Sequence, residues 1–220
     1  MGGFLKSSIA RKLVMALSGL FLVLFLLQHF IINFTSVFGP EAFNGISHFM
    51  GTNVFVQFLL QPVLILGVVV HFVMGIVLEM NNKSARPIGY VKFHGNANSS
   101  WMSRNMIWTG LVVLAFLGLH FYDFWFPEIY HKYIVVDPEN PMRYYPEMVA
   151  KFADPIRTGL YVISFIFLSL HLLHGFSSSF QTVGWHKKFY KGMRGATVAF
   201  SIIIPLGFIF IALFHYFNQL

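Results

Sequence analysis

Apolar residues in this chain do not alternate with polar ones or mark single helical faces; they fill whole runs. Five stretches, Leu13–Phe34, Val54–Met80, Met106–Phe126, Leu160–Phe180 and Ala196–Phe217, consist mainly of Leu, Ile, Val and Phe with scattered Gly. Each has about the 20 apolar residues a helix needs to cross a bilayer core. Backbone polar groups in lipid must be satisfied within their own segment, so such runs predict helices, and Pro62 and Pro205 are tolerable inside them. The pattern predicts an all-α integral membrane bundle of five transmembrane helices, one membrane domain spanning residues 1–220. No internal repeat or low-complexity stretch interrupts it.

Composition sharpens this reading. The chain is 56% hydrophobic and 10% charged, against about 25% charged for a soluble domain. Cysteine is absent, which excludes disulfides, thiolate zinc sites, iron–sulfur clusters and covalently attached c-type haem. The first run follows Lys6, Arg11 and Lys12 as a signal peptide would. It is too long for a signal core and lacks a small-x-small cleavage site, so it is expected to remain as a helix.

The net charge of +7 has a topological explanation. Eleven basic residues fall on one side: Lys6, Arg11 and Lys12, then Lys83, Arg86, Lys92 and Arg104, then Lys187, Lys188, Lys191 and Arg194. Four fall on the other: Lys132, Arg143, Lys151 and Arg157. That side also carries Glu41, Glu128, Asp137, Glu139, Glu147 and Asp154. The positive-inside rule then predicts a cytoplasmic N-terminus and an outside C-terminus. Basic excess spent on orientation leaves no reason to expect nucleic acid. The segment from Pro127 to Arg157, rich in Pro and Tyr, reads as an ordered cap at the outer interface with short helical pieces.

Ionisable groups inside hydrocarbon are costly and point to function. His29, His71, His120 and His171 put one histidine on each of four spans. At about 1.5 Å per residue, His29 lies roughly 9 Å and His120 about 10 Å from the outer ends of their helices. His71 lies roughly 27 Å and His171 about 21 Å from that side. The four thus form an outer pair, His29 with His120, and an inner pair, His71 with His171. Two imidazole pairs at two levels are what two stacked haems need, with both axial positions filled and electron transfer as the implied chemistry. Gly67, Gly75 and Gly175 lie four residues from His71 or His171, where missing side chains would admit a flat macrocycle or simply pack helices. His174 is the competing ligand in the fourth span. His215 is expected to be hydrogen-bonded or interfacial, and His48, His94, His131 and His186 to be solvated loop residues.

The run from Ser18 to His29 (SGLFLVLFLLQH), His71, the Gly-Leu-His ending at His120, and the run from His171 to Gly184 (HLLHGFSSSFQTVG) together carry a resemblance. With five spans, the chain resembles the single-chain, five-helix, di-haem cytochrome b anchor of succinate:quinone oxidoreductases and quinol:fumarate reductases, over essentially its whole length. The resemblance implies two haem b groups, the inner on helices two and four and the outer on helices one and three. It implies a flavoprotein subunit carrying FAD and an iron–sulfur subunit on the cytoplasmic face, where the dicarboxylate chemistry would occur. It also implies electron exchange with a membrane quinone, often menaquinone, in the bacterial cytoplasmic (inner) membrane, and association of whole complexes. Some relatives carry a glutamate two residues before the fourth ligand, proposed to conduct protons; here that position is Ser169.

Candidate propionate partners are Ser18, Gln181 and His174 for the inner haem, and Asn33, Trp125 and Arg157 for the outer. Candidate quinone contacts are Glu41 on the outer face and Arg11, Trp101 and Arg104 on the inner. The basic segments Asn81–Arg104 and Gln181–Arg194 are expected to dock the iron–sulfur subunit. Two alternatives stay open: the cytochrome b anchor of a hydrogenase or formate dehydrogenase, and a haem-free anchor or transporter with a histidine proton relay.

Overall fold

A computed structural model of the chain describes residues 7–84, 104–136, 140–184 and 186–219, side chains excepted at 186–191. Lys6, Arg86, Lys92, His94, Trp101, Asp137, Glu139 and the side chains of His186, Lys187, Lys188 and Lys191 therefore lie outside the described residues. Seven helices account for nearly everything else, and no strand occurs among the described residues. In order they are α1 (Ser8–Phe34), α2 (Pro40–Thr52), α3 (Val56–Ser84), α4 (Met106–Val135), α5 (Tyr144–Phe152), α6 (Pro155–Thr182) and α7 (His186–Phe217). Five of these, all but α2 and α5, are long and apolar enough to cross a membrane. Leu24, Phe58, Leu66, Ile163 and Ile203 stand exposed along them, which in lipid is the ordinary outer surface of a bundle. This is the architecture of a multi-pass membrane protein.

Local chemistry sets the helix boundaries. A 3-10 turn, Thr35–Phe38, closes α1, and Gly39 at φ 132° reverses the chain into Pro40 at the start of α2. A side chain would be strained at that φ. Asn53 caps α3, its Oδ1 accepting the amides of Phe55 at 3.0 Å and Val56 at 3.2 Å. Asp154 does the same for α6, accepting from Ile156 at 2.9 Å, with Pro155 in the first turn where its missing N–H costs nothing.

Two spans run further than hydropathy suggested. α4 continues through Pro127 to Val135, although the apolar run ends at Phe126. A wide π turn at Phe121–Trp125 precedes the proline and accommodates its missing N–H. α7 starts at His186 rather than Ala196, so the basic segment after α6 is a short turn followed by helix. His48 and His131 are likewise helical rather than loop residues.

α2 and α5, absent from the hydropathy pattern because they are short and mixed, form a cap at one end of the bundle. The buried core sits beneath this cap: Phe43 from α2, Met148 and Phe152 from α5, Tyr161 and Phe165 from α6, and Ile204, Phe208, Ile211 and Ala212 from α7. Asn44 is buried in the cap and accepts the Tyr145 amide at 2.7 Å. Charges lock α4, α5 and α2 together: Glu128 pairs with Lys132 and Arg143, Arg143 also meets Glu147 at 3.0 Å, and Lys132 donates to the Gly51 carbonyl. Burial, aided by the nearby Glu128 carboxylate, pushes the Tyr144 hydroxyl up to about 12, so it stays protonated within this lock. By contrast α3, which packs mainly on α1, has no buried residue.

Candidate functional site

Histidines from four spanning helices meet ring to ring in two pairs. His29 on α1 and His120 on α4 lie 5.7 Å apart between ring centroids, at an interplanar angle of 87°. His71 on α3 and His171 on α6 lie 6.3 Å apart at 74°. His174 is partly buried one turn further along α6, but the ring that faces His71 is that of His171. The pairs occupy two levels, the His29 pair under the cap and the His71 pair towards the opposite end.

Hydroxyls on neighbouring helices hold the second pair. Ser18 Oγ on α1 stands 3.2 Å from His71 Nδ1 and donates its own proton to the Met15 carbonyl at 3.0 Å. Thr109 Oγ1 on α4 stands 3.3 Å from His171 Nδ1 and donates to the Met106 carbonyl at 3.0 Å. Each hydroxyl has one proton, and one that gives it to its own helix accepts from the imidazole. An Nδ1–H in that contact would leave Nε2 with its lone pair, as in a metal-binding histidine.

The first pair is held differently. His29 is flanked by Asn33, whose Nδ2 donates to the His29 carbonyl at 2.8 Å and lies 3.4 Å from its Nε2. His120 Nδ1 and Trp125 Nε1 are buried without a hydrogen-bond partner. Such atoms are rare and need a reason. Close by, Asp123 is 2% exposed and accepts the Tyr161 hydroxyl at 2.9 Å. The Arg157 guanidinium stands 3.4 Å from its other oxygen, an ion-pair contact off the line of a hydrogen bond. Tyr161 also packs its ring edge-on against His120.

The donor set suits haem. No cluster of three or more His, Cys, Asp or Glu side chains fit for a bare metal ion occurs among the described residues. Two imidazoles suffice when a porphyrin supplies the remaining four nitrogens. Rings on opposite sides of a metal, each nitrogen about 2 Å from it, have centroids about 6 Å apart. The observed 5.7 and 6.3 Å lie near that value, and also within the range of about 4.5–7 Å of ordinary ring packing.

Ser18 lies on the His71 ring, and Gln181 is exposed near the end of α6. Glu41 is exposed in the first turn of α2, and Arg11 has a buried Nε without a partner. Ser169 donates to the Ser201 carbonyl at 2.7 Å, tying α6 to α7. His215 is buried and sits 2.9 Å from Ser36 Oγ, which gives its own proton to the Asn33 carbonyl. It serves as a helix tie at the cap. Glu79 pairs with Lys83 at 3.2 Å at the exposed end of α3.

Gly67 and Gly175, singled out beside the histidines in sequence, instead meet Phe21 and Met106. The glycines that back the imidazoles are Gly19, where a Cβ would stand 3.2 Å from His71 Cε1, and Gly110, 3.4 Å from His171 Cε1. Thr109, Gly110 and the Asp123–Tyr161 bond were not anticipated. The available signal was the Ser-Gly preceding His29 and the Thr-Gly preceding His120, each hydroxyl residue eleven positions before its histidine. No family model, curated protein or solved structure matches the chain.

Proposed function

We propose that this chain is the membrane anchor and electron-transfer subunit of a succinate:quinone oxidoreductase of the bacterial cytoplasmic membrane, holding two haem b groups. The observation that carries the reading is the pairing of imidazoles, His29 with His120 and His71 with His171, from four helices at two levels. Haem b bound between two histidines supplies one-electron transfer and has no open position for substrate. The chain's own part is to hold two such groups in line across the bundle and to keep water from them. A flavoprotein with FAD and an iron–sulfur subunit would dock at the basic, cytoplasmic end, and quinone would exchange electrons in the membrane. Dicarboxylate chemistry then lies on the partner subunits, and whole complexes associate in the membrane.

The cytochrome b anchors of hydrogenases and formate dehydrogenases usually place two haem ligands on one helix. Here the four paired rings come from four helices, which favours the succinate reading. The test is to isolate the chain with its native partners and add succinate under anaerobic conditions. Reduction of b-type haem by succinate, blocked by malonate, is the expected result. Haem that responds to hydrogen or formate but not to succinate or fumarate would overturn the reading.

A further inference from the structure

Ser18-Gly19 and Thr109-Gly110 perform the same task at equivalent positions of two helices. In each, the hydroxyl lies within hydrogen-bond distance of Nδ1 of a histidine on another helix: His71 at 3.2 Å and His171 at 3.3 Å. In each, the hydroxyl proton goes to the carbonyl three residues back, that of Met15 or Met106. In each, the next residue is a glycine against the same imidazole, where a Cβ would approach Cε1 to 3.2 Å or 3.4 Å. In each, a histidine of the other pair follows eleven residues after the hydroxyl, His29 or His120. Eleven residues are about three turns, so hydroxyl and histidine share a helix face about 16 Å apart. The chain thus contains a short matched segment, SGLFLVLFLLQH on α1 and TGLVVLAFLGLH on α4, which hydropathy alone does not show.

We infer that Ser18-Gly19 and Thr109-Gly110 are paired cradles that fix the ring proton of His71 and His171 on Nδ1 and set the ligand strength of the inner haem's two imidazoles. The inference rests on the di-haem reading for its redox consequence, though not for the tautomer. An acceptor on Nδ1–H makes Nε2 a stronger donor and stabilises the oxidised metal. The outer pair lacks this arrangement: His120 Nδ1 has no partner, and His29 is approached by an amide donor. The two haems therefore differ in ligand field by construction. Ser18 and Thr109 are positioning residues acting through the histidines.

The test uses the purified chain with Ser18→Ala and Thr109→Ala, and the conservative Ser18→Thr and Thr109→Ser. Haem content, redox titration and low-temperature EPR of each variant are recorded, with ¹⁵N-histidine NMR of the same preparations. Loss of one hydrogen bond should raise the reduced-to-oxidised ratio of the inner haem, at fixed poise, about five- to tenfold. Its low-spin EPR signal should shift, the outer haem should not respond, and the conservative variants should restore both readouts. Unchanged inner haem, or equal shifts of both haems, overturns the inference while leaving the di-haem reading intact. Wild-type chain without haem sinks that reading instead, and NMR then decides the cradles. Nδ1–H rings at His71 and His171, disturbed by the alanine variants, support them, and Nε2–H rings refute them.

Discussion

His71→Ala and His171→Ala should each remove one haem from the chain, and it should be the same haem. The two rings face one another at 6.3 Å, so under the proposed function deleting either would leave the haem iron with one axial ligand. The double variant should lose no more than either single one, because the two residues act as a unit. His29→Ala and His120→Ala should mirror this at the other level, where the rings lie 5.7 Å apart. His174→Ala should retain both haems, since His171 supplies the ring that faces His71. Haem content per chain and the α-band of reduced-minus-oxidised spectra check the set. Loss of the inner haem in His174→Ala, with retention in His171→Ala, would reverse the assignment.

Asp123→Ala should be the most damaging substitution outside the histidines. The carboxylate is wholly buried, accepts the Tyr161 hydroxyl at 2.9 Å and faces Arg157 at 3.4 Å. Its removal leaves the Arg157 guanidinium without that carboxylate and the Tyr161 hydroxyl without its acceptor, the Tyr161 ring lying against Phe116, Phe152 and Phe165. Breaking a buried pair from one side costs about 3–5 kcal/mol. The Arg157 side chain is 26% exposed and can partly rehydrate, so a loss near the lower end, about 3 kcal/mol, is expected. Asp123→Asn keeps an acceptor for Tyr161 and should lose about 1 kcal/mol. Thermal unfolding in detergent, compared across the two variants, reads the difference. Equal stability of Asp123→Ala and wild type would show that the contact holds nothing.

The long helices were legible because hydrocarbon imposes a simple rule: about 20 apolar residues, all backbone bonds internal. The rule is blind where polar and apolar residues mix, so it passes over α2 and the extension of α4 past Pro127, while α5 is one of the short helical pieces that the Pro- and Tyr-rich segment Pro127–Arg157 leads one to expect. There the decisive contacts are non-local, such as Glu128 with Arg143 and Asn44 with the Tyr145 backbone. The histidines were legible because depth is nearly linear in residue number along a helix. Rotation about the axis is less so. Gly67 and Gly175 share a face with the histidines of their own helices, yet the imidazoles lean on Gly19 and Gly110 across the interface. Own-helix spacing says nothing of the partner helix. Asp123 lies three residues before the apolar run stops, yet the helix continues past it and buries it.

Purified chain, produced with adequate haem supply, should give two haem b per polypeptide in a pyridine haemochrome assay. Low-temperature EPR should resolve two low-spin ferric signals of bis-imidazole type. A chain that folds and binds no haem, or shows a single signal at one haem per polypeptide, would rule out two haems held by four histidines.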